Sequence, residues 1–154
     1  MFDYVLFDLD GTLTRSGDGI KKSAAHAIAH LGYPPLTDEQ LDTFVGPPLL
    51  ESFMAMCGMD EHTALQAGEV YRERFGRVGW RENAVYAGIA PLLKALRAAG
   101  KFVALATAKP EVLARRIVEH FGLAPYLSAV VGISMTEHHA DKAAIIQKAL
   151  PAGA

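Results

Sequence analysis

Tyr4-Val5-Leu6-Phe7-Asp8-Leu9-Asp10-Gly11-Thr12-Leu13 runs an apolar segment straight into two aspartates and a glycine. An apolar run without polar alternation is the pattern of a parallel strand covered on both faces. Open α/β sheets gather ligands beyond the carboxyl ends of their strands, which is where Asp8 and Asp10 fall. Gly11 lets the backbone turn away and approach a ligand closely. Two carboxylates so near each other repel, so such a site needs a cation or a shared proton. Mg²⁺ suits it, because this ion prefers hard oxygen ligands and combines one or two carboxylates with substrate phosphate. One carboxylate can then act as a nucleophile while the other exchanges a proton with the leaving oxygen. Two acids that merely cap a turn are the competing reading, and the pair alone does not dismiss it.

Outward from this segment, residues 102–106 and 129–132 are further short apolar runs. A helix is expected between them, with Pro110 in its first turn, Leu113, Ile117 and Phe121 at helical spacing, and Gly122 at its end. Another is expected over 89–99, with Leu92, Leu93 and Leu96 facing inward and Gly100 as its stop. A third follows Asp141, its N-cap, from Lys142 to about residue 150. Alternating strands and helices predict an α/β core with a parallel, Rossmann-like sheet. Residues 15–83 break the rhythm, since they contain helical patterns only, over 20–30, 38–44, 48–56 and 61–78. In the last of these Ala64, Ala67, Tyr71, Phe75 and Val78 share one face. Thr37 and Asp60 are candidate N-caps in this region, and the region is expected to form a separate all-helical insertion. The core is then 1–14 plus 84–154.

The other strand ends favour chemistry over capping. Ala106-Thr107-Ala108-Lys109-Pro110 places a hydroxyl and backbone N–H groups at a helix N-terminus, a ready phosphate cradle. Lys142 opens the helix after the third strand and supplies a cation suited to phosphate and carboxylate. Acid pair, hydroxyl and lysine thus follow three successive strands in order.

Composition narrows the partners. Fifteen basic and seventeen acidic residues give a net charge of -2. That balance speaks against a broad electrostatic footprint for nucleic acid or membrane. Cys57 is the only cysteine, so neither an internal disulfide nor a cysteine-based zinc site can form, and it reads as a small buried hydrophobe. Asp3 and the lack of a basic leading segment speak against a secretory signal, and no apolar run approaches a membrane span, so a cytoplasmic location is the expectation.

Asp8-Leu9-Asp10-Gly11-Thr12-Leu13, Thr107 and Lys142 resemble motifs one to three of the haloacid dehalogenase superfamily, closest to its phosphoglycolate phosphatase-like and 5′-nucleotidase-like branch. Ser16-Gly17-Asp18-Gly19-Ile20, Phe44-Val45-Gly46-Pro47-Pro48-Leu49, Thr107-Ala108-Lys109-Pro110-Glu111 and Val131-Gly132 extend the likeness along the chain. The resemblance implies a core of that family's type with an inserted helical cap. It also implies a Mg²⁺-dependent phosphatase of small phosphomonoesters, acting on a phosphorylated metabolite as a monomer or homodimer. Asp8 is then the nucleophile, Asp10 the acid and base, Thr107 the phosphoryl hydrogen-bond donor and Lys142 the charge stabiliser. The Asp8 side chain and the Asp10 carbonyl hold the metal. Gly11, Thr12, Gly46, Ala108 and Lys109 are expected at the substrate, although Lys109 also reads as a solvated lysine.

Two departures stand out. Arg15 occupies a position usually acidic or small, and reads as either an anion contact or a surface arginine. Relatives continue beyond the lysine helix into a strand ending in a fourth, acidic motif, whereas the last residues here are Leu150-Pro151-Ala152-Gly153-Ala154. The expectation is a longer chain whose extra strand would flank residues 4–7. Without that strand, the alternative is a catalytically impaired phosphate-binding or interaction domain with an open sheet edge. A sugar-phosphate mutase is a third reading, though nothing identifies a device for retaining the phosphoryl group. His26 and His30, four residues apart on a helix, and Glu137-His138-His139 are metal-capable, yet an ordinary helix face and a solvated loop explain them. Trp80 reads as a partly buried aromatic near the junction.

Overall fold

A computed structural model describes residues 2–153. The chain runs through β1 (Tyr4–Phe7), α1 (Gly17–His30), α2 (Asp38–Asp42), α3 (Leu49–Cys57), α4 (Glu61–Arg77), α5 (Ile89–Ala98), β2 (Phe102–Pro110), α6 (Glu111–His120), β3 (Ala129–Ile133) and α7 (Lys142–Ala149). It divides into two compact units, one of residues 1–14 and 85–154 and one of residues 15–84.

The first unit is an α/β layer structure. Its parallel three-stranded sheet has the order β1-β2-β3. β2 is central, and Val103, Ala104 and Leu105 within it are fully buried. The small side chains Ala104 and Ala106 form one cluster with Ile145 and Ala149 of α7. Small residues on both surfaces let α7 approach the sheet closely. Alternation turns Val103 and Leu105 to the other face. α5 and α6 also pack on β2 and bury Leu93, Ile117 and Val118.

Burial on both faces holds for β2 but not for β1 or β3. Tyr4 is exposed, the rest of β1 is half-buried, and only Val130 of β3 is buried. The reason is position, since each pairs with β2 on one side only among the described residues. The periodic pattern also overstated two helices. Leu92 is exposed, leaving Leu93 as the buried leucine of α5, and Val78 is exposed where α4 ends.

The second unit is helical. Thr37 closes a capping box on α2 with Gln40, and Asp60 caps α4 by accepting from the Thr63 N–H at 2.8 Å. Ala64, Ala67, Tyr71 and Phe75 line the buried face of α4. Arg74 donates to Glu82 at 2.8 Å and to Ser23 at 3.0 Å, while Lys22 adds a second cation 3.2 Å from Glu82. The Arg74 bond holds the Glu82 carboxyl below the usual glutamate range. Trp80 is buried rather than partly exposed, with the Arg81 guanidinium 5.6 Å from its ring centre. Cys57 is half-buried, and that burial pushes its thiol pKa up. Among the described residues no helix is long and apolar enough to cross a membrane.

Candidate active site

The aspartates leave the sheet on a tight loop. β1 ends at Phe7, so Asp8 and Asp10 lie beyond the strand, on either side of Leu9 at a bend. Leu9 and Leu13 are fully buried and anchor the loop. The Leu9 carbonyl accepts from the N–H groups of Thr12, Leu13 and Thr14, and Gly11 N–H donates to the Thr14 carbonyl at 2.8 Å. This turn needs φ +76° at residue 11, a conformation that glycine adopts without strain.

Each aspartate has its own lysine. Lys142, the first residue of α7, donates to Asp8 Oδ2 at 2.9 Å and to the Ala106 carbonyl at 3.0 Å. Asp141 caps the same helix by accepting from the N–H groups of Ala143 and Ala144. The other oxygen of Asp8, Oδ1, accepts from Leu9 N–H at 2.8 Å. Lys109 Nζ lies 3.1 Å from Asp10 Oδ2, with 6% and 12% of the two side chains exposed. The solvated reading of Lys109 is therefore overturned. The repulsion expected between two neighbouring acids is answered by two lysines delivered from two different elements.

Lys109 gets there through an irregularity in β2. Ala106 pairs with Val131 and Pro110 with Ile133, so Thr107, Ala108 and Lys109 face the single residue Gly132. Such a bulge re-aims side chains at the end of a strand. Thr107 is buried, and its Oγ1 accepts from the Lys109 N–H at 3.2 Å. The cradle expected from free N–H groups here thus has one of them already engaged, and the hydroxyl proton of Thr107 is left to donate.

Gly132 is the residue that sequence reasoning quoted without a role. A Cβ there would meet the Lys109 carbonyl at 2.4 Å and the backbone of Glu111 at 2.8 Å. Glu111 completes the fixation. Its Oε2 accepts from Gly132 N–H at 3.2 Å, and its Oε1 pairs with Arg115, which also donates to the Val130 carbonyl at 2.8 Å. Only the position opposite a bulge reveals such a glycine, and register is not written in sequence.

Opposite signs are expected for two glycine replacements. Gly132→Ala collides with the backbone of Lys109 and Glu111 and should destabilise by roughly 1–3 kcal/mol. Gly68→Ala in α4, where a Cβ meets nothing within 4 Å, should stabilise by about 0.5–1 kcal/mol. Denaturant unfolding of both variants checks the pair, and a neutral Gly132→Ala would remove the close-approach account.

Each remaining candidate is placed within its own unit. Gly46, with φ +107°, lies in the helical unit between α2 and α3. Gly11 and Thr12 are exposed on the loop, and Ala108 sits in the bulge. Arg15 is exposed, in keeping with a surface arginine. His26 and His30 are exposed on α1 with ring centres 6.3 Å apart. Glu137 accepts from Ser134 N–H, which closes its loop and holds its carboxyl below the usual range. Among the described residues no group of three His, Cys, Asp or Glu side chains gathers.

A sheet that ends in an Asp-x-Asp loop, a threonine bulge and a helix-borne lysine invites comparison with known proteins. A model of the haloacid dehalogenase-like hydrolase family matches residues 5–152. The chain belongs to that family. A 5′-nucleotidase of Pseudomonas aeruginosa is 42% identical over 146 residues, covering 95% of this chain and 66% of that protein. The tyrosine-protein kinase PtkA of Mycobacterium tuberculosis is 41% identical over 146 residues, covering 95% of this chain and 50% of that protein. A crystal structure of a predicted phosphatase from Clostridium acetobutylicum matches with a TM-score of 0.91 at 43% identity, over 97% of this chain and 69% of that one. The chain thus spans 66% and 50% of the length of these two curated relatives.

Proposed function

We propose that this chain carries the phosphoryl-transfer centre of a Mg²⁺-dependent phosphatase for small phosphomonoesters, of the phosphoglycolate or nucleoside 5′-monophosphate kind. The observation that carries this reading is the double pairing of Asp8 with Lys142 and Asp10 with Lys109 at the carboxyl end of the sheet. The names of the relatives agree in one respect, since a nucleotidase, a phosphatase and a protein kinase all move phosphoryl groups.

Asp8 attacks phosphorus, so that a carboxylate oxygen–phosphorus bond forms as the bond to the leaving oxygen breaks. Asp10 hands its proton to that oxygen. It then takes a proton from the water that attacks the aspartyl-phosphate, which frees phosphate and restores Asp8. Thr107 donates its hydroxyl proton to a phosphoryl oxygen, and Lys142 offsets the charge gathered on Asp8 and the phosphoryl group. Most of the catalysis in such a transfer is positioning and electrostatic stabilisation.

The residues present fit a Mg²⁺ ion. Asp8 offers a carboxylate and Asp10 a main-chain carbonyl. Both are hard oxygen donors of the kind this ion takes. With no third acidic side chain gathered among the described residues, water and phosphate oxygens complete the shell, which is habitual for this ion. When bound, Mg²⁺ offsets phosphoryl charge as a Lewis acid.

Phosphate release from 2-phosphoglycolate, nucleoside 5′-monophosphates and p-nitrophenyl phosphate tests the reading. Release is expected with Mg²⁺, is abolished by a chelator and returns when Mg²⁺ is restored. Absence of release from every ester in Mg²⁺ would favour a phosphate-binding domain without turnover. Transfer to a tyrosyl acceptor in place of water would redirect the reading toward a kinase.

A further inference from the structure

The two lysines of the site are not equivalent. Lys142 is 46% exposed and shares its ammonium between Asp8 and the Ala106 carbonyl. Lys109 is sequestered, with 6% of its side chain exposed, and its ammonium lies 3.1 Å from Oδ2 of Asp10. The second oxygen of that carboxylate, Oδ1, is buried and accepts no hydrogen bond from the described residues. Asp10 therefore has two unlike oxygens, one tethered and one kept clear of protein donors. An unpaired buried acceptor costs free energy, and in a native structure it calls for an explanation such as a catalytic role.

We infer that Lys109 is a positioning residue: its ion pair with Oδ2 fixes the Asp10 carboxyl so that Oδ1 is the atom that gives and takes the proton. This deepens the phosphatase reading and rests on it. In the first half-reaction the proton leaves Oδ1 for the leaving oxygen as the phosphorus–oxygen bond to that group breaks. In the second, Oδ1 takes a proton from the attacking water as the bond between Asp8 and phosphorus breaks.

The fold equips Lys109 for this task. A lysine side chain is ordinarily a flexible stem, poorly suited to fixing a geometry. Here its backbone is held on both sides, the N–H by Thr107 Oγ1 and the carbonyl against the bare Cα of Gly132. Exclusion of water strengthens the pair. The bulge thus has two products, a threonine hydroxyl for phosphate and a tether for the acid.

The leaving group separates this role from direct phosphate binding. An alkyl phosphate such as glycerol phosphate needs a proton delivered to its alkoxide, whereas p-nitrophenolate departs as an anion. Lys109→Met is expected to lower kcat on the alkyl ester by about 10²-fold or more, with KM changed less than about 3-fold. On p-nitrophenyl phosphate the loss should stay below about 5-fold in the first, phosphoryl-forming half-reaction, read as the burst under rapid mixing. Lys109→Arg should restore most of the alkyl rate. Because methionine leaves a buried carboxylate unpaired, the double variant Lys109→Met/Asp10→Asn is measured as well. It should be no slower on the alkyl ester than Asp10→Asn alone. Equal losses on both esters, a loss confined to KM, or additive losses in the double variant would overturn the inference while leaving the phosphatase reading in place. Failure of the unmodified protein to hydrolyse either ester would overturn both.

Discussion

Asp8→Asn is expected to reduce phosphate release by at least ~10⁴-fold, since removal of a covalent nucleophile leaves only binding and electrostatic assistance. Asparagine has the size of aspartate, and its amide carbonyl can still accept from Leu9 N–H, the 2.8 Å bond that orients the wild-type carboxylate. What disappears is the anionic oxygen that bonds to phosphorus. The protein should remain folded. The Asp8–Lys142 pair is exposed by 40% and 46%, and a solvent-screened pair of that kind contributes about 0–1 kcal/mol. Lys142 also keeps its bond to the Ala106 carbonyl. The measurement is twofold. Phosphate release gives the rate, and acid quenching with labelled substrate followed by peptide mapping locates a phosphorylated side chain. The unmodified protein should carry label at Asp8 and the variant none. Residual turnover within about 10-fold of the unmodified rate, or label at another residue, would sink the nucleophile assignment.

Much of this site is legible along the chain because its parts are local. An apolar run entering Asp8-Leu9-Asp10-Gly11 is a strand, a turn and two acids, all within one short segment. The N-cap Asp141 announces α7, and hence places Lys142 at a helix start. Helix faces with buried alanines and aromatics, as in α4, are legible for the same reason. What sequence hides is everything decided by a neighbour in space. β1 and β3 carry the composition of covered strands, yet their burial depends on strands beside them. Lys109 has the composition of a surface residue, and only the extra residues in β2 opposite Gly132 turn it inward. Glu111 and Arg115 read as an ordinary i, i+4 pair on a helix. They also pin the start of α6 to β3, through the Gly132 N–H and the Val130 carbonyl.

Lys142→Met is the second large effect, expected to lower kcat/KM by about 10²–10³-fold, the usual cost of deleting one donor that stabilises transition-state charge. Methionine keeps much of the stem and its packing, so the substitution chiefly removes the ammonium. That ammonium is where it is because Ala104 and Ala106 present little bulk to Ile145 and Ala149. α7 can then settle on the sheet with its first residue at the end of β1. The charge matters because attack requires an anionic carboxylate to meet an anionic phosphoryl group. The wild-type lysine already contacts Oδ2 of that carboxylate at 2.9 Å, so it is positioned before the substrate arrives. Its partial exposure lets water replace some of the lost stabilisation, which sets Lys142→Met below Asp8→Asn in severity. Lys142→Arg should recover only part of the rate, since a planar guanidinium does not reproduce a compact ammonium shared between Asp8 and the Ala106 carbonyl. Competitive inhibition by inorganic phosphate should weaken in the Met variant along with kcat/KM. If instead kcat/KM stays within about 5-fold while thermal stability falls, Lys142 serves to anchor α7 to the sheet, and the charge needed at Asp8 must come from elsewhere.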